Sequence, residues 1–399
     1  MQRGLILWFA LAAAVCPGQA VQSVESQRQS ALALEQQGKN AEAETIWRAF
    51  LKQHPVDPEP YAHLGLIEAQ QEHYKEAVPL YRKALSLSPS TPELRLNLGL
   101  ALFKAGEMKE AIRLFQPLLK NQPPSSSDAQ RLTILLGMAH YALGDFAEAS
   151  PYLKQAAARD PQNLGLRLSL AHSCLWSKQY KCVLDTYHEI LLLNAESAEA
   201  DILAGEALDE LKDHGGAIKQ FRAAVQANPN EPDVHFGLGY LLWTQRQYEE
   251  AASELQAELT NNPNQVQALL YLGDAQMQMS HPEAALPILE QVERVDPTLS
   301  LGHLDLGILY ADAGRNEDAL REMNVARKLT PNDVNVHWRL GRLYRAMGKK
   351  DEAKAELNKA SSLTKATDEA LINKMNGGGA KAKSGGAPTK GAGDALPER

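Results

Sequence analysis

PEPYAHLGLIEAQQEHYKEAVPLYRKALSLSPST at residues 58–91 runs directly into PELRLNLGLALFKAGEMKEAIRLFQPLLKNQPPS at residues 92–125. Laid one over the other, both carry Gly at one place (Gly65, Gly99), Ala twelve residues later (Ala77, Ala111) and an aromatic ring four further on (Tyr81, Phe115). The small residue recurs at Ala31, Gly65, Gly99, Gly137, Ala171, Gly205, Gly239, Gly273, Gly307 and Gly341, a period of 34 at every step but one. Gly99 to Gly137 is 38, which puts a four-residue insertion near Pro123-Pro124-Ser125-Ser126-Ser127. Pro closes eight copies, and Ala195 and Lys365 take its place in repeats five and ten. Ten repeats follow: 24–57, 58–91, 92–125, 130–163, 164–197, 198–231, 232–265, 266–299, 300–333 and 334–367.

Each copy reads as two helices and a turn. Tyr61–Gln71 and Ala77–Leu87 carry apolar residues at helical spacing, with Gln71-Glu72-His73 between them. Small residues facing each other let the two backbones approach, and a larger side chain there would overpack by about 1–3 kcal/mol. Pro after the second helix stops it and turns the chain into the next copy. One hairpin cannot bury its own apolar face, so stability is shared between neighbours. Repeat five, with Val183 and Ala195 at signature positions, departs furthest and is the expected soft spot or hinge.

A 34-residue period with this signature resembles the tetratricopeptide repeat family. The resemblance spans nearly the whole chain and implies an all-α, right-handed superhelical solenoid of helix-turn-helix repeats. It also implies that first helices line a concave groove and second helices the outside. About eight repeats complete a superhelical turn in the family. Some members grip a C-terminal carboxylate with Lys, Arg and Asn on adjacent first helices. Here Asn97 has Leu96, Leu100 and Arg131 around it, without the basic set that mode requires.

The formal charge of −8 is mild for 399 residues and speaks against nucleic acid or an anionic membrane as a general partner. Residues 1–20 read as a signal peptide: Arg3, an apolar core at Leu5–Val15 too short to span a bilayer comfortably, and small residues ahead of a cleavage point after Ala20. An uncleaved anchor is the competing reading. No later segment is apolar enough to cross a membrane, so the expected location is the periplasm or cell envelope. Residues 368–375 are expected to form a capping helix, and 376–399, rich in Gly and Lys, a disordered tail.

Cys174 and Cys182 are either a disulfide, which export would permit, or two small buried apolar residues; spacing leaves both open. They lack the further ligands of a zinc site, and no metal or other cofactor is expected. The eleven His are scattered, and no nucleophile elbow, phosphate loop or dinucleotide fingerprint is present. The expectation is a protein that is not an enzyme.

Function must then lie on surfaces. On the groove side that the resemblance implies, repeats four and five offer Tyr141 and Trp176, and repeats seven and eight offer Phe236, Tyr240, Trp243 and Tyr271. Glu206, Asp209 and Glu210, with Asp274 further on, make an acidic middle; Arg339, Arg342 and Arg345 make a basic end. Rings at helical spacing also serve as core, and acids as a solvated face. Tyr and Trp nonetheless combine large contact area with a polar handle, which suits recognition. The leading expectation is a scaffold or adaptor that binds a protein or peptide segment in the groove. The alternative is a glycan-binding scaffold in polysaccharide secretion or envelope sugar metabolism, its rings stacked on sugar faces.

Overall fold

The structure is a computed structural model that describes residues 24–376; the signal-peptide reading of 1–20 and the tail beyond Asn376 lie outside the described residues. Every regular element among the described residues is an α-helix. In chain order they pair as α1 (Val24–Gln36) with α2 (Asn40–Gln53), α3 (Pro58–Gln70) with α4 (Tyr74–Leu87), and α5 (Pro92–Lys104) with α6 (Met108–Lys120). Next come α7 (Ser127–Ala142) with α8 (Phe146–Arg159), α9 (Leu164–Trp176) with α10 (Tyr180–Leu191), and α11 (Ala198–Glu210) with α12 (His214–Ala227). The last are α13 (Val234–Thr244) with α14 (Tyr248–Asn261), α15 (Val266–Gln278) with α16 (Pro282–Val295), α17 (Ser300–Asp312) with α18 (Asn316–Leu329), and α19 (Val334–Ala346) with α20 (Lys350–Asn376). This is an all-α helical-repeat solenoid.

The chain divides into two compact units, Met1–Lys212 and Asp213–Arg399. The division falls in the turn of repeat six, between α11 and α12. In the first unit, successive first helices touch (α3 and α5, α7 and α9, α9 and α11), as do α13, α15, α17 and α19 in the second. Second helices make no comparable contact with one another among the described residues. Within each unit the first helices therefore form the inner layer. The core of the second unit is continuous from Phe236 to Leu343. The first unit has separate clusters around Trp47 and Phe50, around Tyr81 and Phe115, and around Leu153 and Ile190.

The signature positions explain the close pairing. A Cβ on Gly99 would stand 2.5 Å from the Phe115 ring, and one on Gly273 2.6 Å from Leu289. Bare backbone is the only way those large side chains can lie flat on the opposing helix. The burial of Tyr81 pushes its hydroxyl's pKa upward, as expected of a phenol taken from water.

The ten hairpin turns share one device. The residue seven past each signature small residue has a positive φ: Gly38, Gly106, Gly144, Gly314 and Gly348, but also Glu72, Lys178, Lys212, Arg246 and Ser280. Five turns thus hold an ordinary side chain in left-handed backbone, at a cost of about 1–2 kcal/mol each. His73 N–H bonding to Glu68 O at 2.9 Å shows the closure that recurs in other turns, such as Glu107 N–H to Leu102 O at 2.8 Å.

Two segments depart from the regular repeat. The insertion near residues 123–127 lengthens the start of α7, which has 16 residues where α5 has 13, and Ser126 caps it by accepting from Ala129 N–H at 3.1 Å. Residues 368–375 form no separate capping helix. That segment continues α20 unbroken over 27 residues, and Lys365 to Glu369 are exposed rather than folded over the last repeat. No Gly or Pro interrupts 350–376, so nothing ends the helix where a cap would begin.

Replacing the strained turn residue by Gly should stabilise. Arg246→Gly and Ser280→Gly together are expected to add about 1 kcal/mol or more, read as an upward shift of the urea midpoint. Gly314→Arg should shift it downward.

Candidate functional site

In the second unit the site begins at a helix that starts late. Asp233 has φ 61, so α13 opens at Val234 and has only 11 residues. Glu258 on α14, itself buried, accepts from Phe236 N–H at 3.1 Å and fills the place of a cap. Burial pushes the Glu258 carboxyl pKa upward, and the bond from Phe236 opposes the rise. Gln265 Nε2 donates to Asp233 Oδ1 at 3.0 Å and ties the recessed start to the turn before α15.

This start sets four rings in contact. Tyr240 lies 5.1 Å from Tyr271 and 6.2 Å from Trp243 between centroids, and Trp243 lies 4.8 Å from Tyr271. Phe236 stacks on Tyr240 at 6.3 Å. Phe236 is only 4% exposed, so it supports the group from the core and does not face a ligand. Tyr240, Trp243 and Tyr271 are half-buried and form the accessible platform.

Asp274 is not part of a solvated acidic face. It is 5% exposed; Oδ2 accepts from the Trp243 indole N–H at 2.5 Å and Oδ1 from Gln278 at 3.1 Å. Its two bonds lock the Trp243 ring. Asp305, on α17, is buried beside it, and Asp305 Oδ2 has no hydrogen-bond partner among the described residues. Burial raises the Asp305 pKa well above the ordinary carboxylate value, Asp274 adds to the rise, and Arg339 on α19 opposes it. Beyond Arg339 the inner face turns basic. Arg339 and Arg342 lie over the exposed Trp338 ring at 5.3 and 4.8 Å, and Arg342 and Arg345 are exposed.

The other candidate residues belong to the first unit. Trp176 is half exposed and stacks on Phe146 at 6.1 Å; Phe146 also meets Tyr141 at 5.7 Å. Burial, then Glu199, push the Tyr141 pKa upward. Glu206 and Asp209 are partly buried on α11, and Glu210 accepts from Tyr180 Oη at 3.2 Å. Cys174 and Cys182 are joined as a disulfide that links α9 to α10, with Cα atoms 5.8 Å apart.

One ordered set of residues went unread in the sequence. His235, His303 and His337 occupy one register, four before the signature Gly, each with a Glu nineteen residues on. Their Nδ1 atoms lie 2.6, 2.9 and 2.5 Å from Glu254, Glu322 and Glu356, clamping first helix to second. Nε2 of His303 and of His337 donates to Pro297 O and Pro331 O, both at 2.9 Å. The signal was in the period: His303 and His337 are 34 apart, and so are their Glu partners.

Profiles of the tetratricopeptide repeat match residues 68–133, 140–207, 208–271 and 310–371, and a second profile of that repeat matches 28–92 and 272–334. The chain belongs to the tetratricopeptide repeat family. It is, at that level, a protein–protein interaction scaffold, in a family whose members are generally non-enzymatic. No curated protein matches. Among solved structures, MamA 41-end from Desulfovibrio magneticus RS-1 is 20% identical, covering 43% of this chain and 97% of its own, with a TM-score of 0.39. YrrB, described as a TPR protein with an unusual peptide-binding site, is 18% identical over 47% of this chain and 97% of its own, TM-score 0.39. A chain of Naa15/Naa10 bound to HypK-THB is 16% identical over 84% of this chain and 63% of its own, TM-score 0.41.

Asp305→Asn tests the electrostatics of this face. A carboxyl whose folded pKa is raised contributes stability while protonated and loses it as pH rises from the unfolded value through the folded one. The Asn variant should therefore be more resistant to urea than the parent at pH 8. The difference should shrink as pH falls toward about 4, the ordinary Asp value.

Proposed function

We propose that this chain is an exported scaffold of the cell envelope that holds a protein segment along the first helices of its second unit, by binding alone. The observation that carries the reading is the fixed platform of Tyr240, Trp243 and Tyr271, on the same helical layer as the exposed Arg342 and Arg345. Rings held by one another and by Asp274 lose little entropy when a segment docks. The Arg group gives the segment a direction, with its acidic end toward α19. The N-terminal signal pattern and the joined Cys174–Cys182 pair support export to an oxidising compartment.

The sugar-binding alternative has less support. Its polar partners beside the rings would be Asp274 and Gln278, and Asp274 already accepts from both Gln278 and Trp243. A sugar would have to displace bonds that hold the platform in place.

The test is retention from a cell-envelope extract on immobilised full chain. Beside it run Tyr240→Ala/Trp243→Ala/Tyr271→Ala and Arg339→Ala/Arg342→Ala/Arg345→Ala, both checked for helicity by circular dichroism. The expected outcome is a protein held by the parent, lost by the first variant and weakened by the second. Its retention by the parent should also fall as salt rises. Retention of envelope polysaccharide instead, insensitive to salt and to the Arg changes, would overturn the reading in favour of the glycan scaffold.

A further inference from the structure

Repeats nine and ten share a clamp, and they differ at one position that changes its charge. In repeat ten, Glu356 sits between two cationic or donor groups: Oε2 lies 2.5 Å from His337 Nδ1 and Oε1 accepts from Arg327 Nη1 at 2.5 Å. Arg327 comes from the second helix of the preceding repeat, α18, so this arrangement joins three consecutive helices. In repeat nine, His303 and Glu322 reproduce the pair at 2.9 Å. The residue 34 before Arg327 is Glu293, on α16. Where repeat ten has a guanidinium, repeat nine has a second carboxylate. One ligand atom each from Glu293, His303 and Glu322 lie within 4.8 Å of one another.

From this arrangement we infer a site for a divalent cation of the Zn²⁺ type, bound by the Glu293 and Glu322 carboxylates and His303 Nδ1. The cation would stand where Arg327 stands in the next repeat.

The imidazole is oriented for this. Nε2 of His303 donates to Pro297 O at 2.9 Å, so Nδ1 is the nitrogen that would take a metal, and the proton it shares with Glu322 at 2.9 Å would leave as the ion binds. Metal-binding His residues are commonly held this way, by a carbonyl on the far nitrogen. His303 and Glu322 are 4% and 5% exposed, so both ligands are rigid; Glu293 is exposed and closes the site from the solvent side. Imidazole with carboxylates is a borderline donor set that suits Zn²⁺ in fourfold geometry, with water completing the shell. Glu290 and Arg315 act on Tyr310 together with Glu322, and Arg321 Nε lies 3.4 Å from Glu322 Oε1. Arg321 is largely exposed and its Nη2 is engaged by Asp318 at 2.8 Å, so it leaves the Glu293 side open. A bound ion would tie α16 to α17 and α18, making the joint between repeats eight and nine depend on metal.

The test uses tag-free full chain without reductant, titrated with Zn²⁺ alone by calorimetry. The urea midpoint is followed with Zn²⁺ and with chelator. Two variants accompany it: Glu293→Gln, which removes only the exposed ligand, and Glu293→Arg, which installs the repeat-ten arrangement. One equivalent of Zn²⁺ should bind in the micromolar range or tighter and raise the midpoint. Glu293→Gln should weaken binding by at least about tenfold. Glu293→Arg should abolish it while keeping a midpoint at least equal to that of the metal-free parent, because the guanidinium replaces the ion. Binding weaker than ~1 mM, or affinity unchanged in both variants, overturns the proposal.

Discussion

Two backbones can lie close only where one of them carries little bulk, and the helical hairpins of Gly65, Gly99, Gly137, Gly239, Gly273, Gly307 and Gly341 are built on that constraint. Gly99 under Phe115 and Gly273 under Leu289 leave room for a large side chain to rest on bare helix. Once that contact is fixed, the pair presents its remaining apolar face to the next pair, and the stack grows by repetition. The tight turn follows from the same closeness. Two helices in such contact must be joined in a few residues, and the chain meets this with one left-handed residue per turn, even where that residue is Glu72 or Arg246.

The inner layer that results is where the chemistry collects. First helices touch their successors, so side chains on α13, α15, α17 and α19 become neighbours along the layer. Trp243, Asp274, Asp305 and Arg339 are linked in that order, through a hydrogen bond and then through charge. Burial changes what each can do. Asp274 is consumed in holding a ring, and Asp305 is held from water with one oxygen unpartnered. The Arg side chains at the far end keep their contact with solvent. The outer joints follow a second regularity, the His–Glu clamp, whose third member is Arg327 in one repeat and Glu293 in another. One architecture thus supports a rigid platform on its inner layer and, by our inference, a cation site between its layers.

Much of the candidate site could be read from spacing. Tyr240 and Trp243 are three apart on one helix, so their shared face could be read; Tyr271 is 31 residues after Tyr240, about one helical turn short of its register, and its contact with both rings came from the packing of α13 on α15. The depth of each residue was not implied. Phe236 has the same spacing to Tyr240 as a helical neighbour anywhere, yet it is core, because α13 starts late and Glu258 holds its first turn down. Asp274 and Gln278 read as polar groups ready for a ligand, but a hydrogen bond to an indole 31 residues earlier cannot be seen in either sequence neighbourhood. The His clamps were legible in the 34-residue period but only when His and Glu were followed together.

The sequence by itself determined the helical pairs, their period, the small-against-large contact within each pair and the family. These depend on local spacing and on steric fit repeated ten times, so a single chain states them many times over. Tertiary structure alone decided which acids are buried, that 368–375 continues α20 unbroken, and that the compact units part at Lys212. It also decided that Glu293 reaches His303 and Glu322. The physical reason is that burial, pairing and charge coupling depend on distances between residues of different helices. Those distances are set by how side chains of many sizes pack together, and no single repeat carries that information.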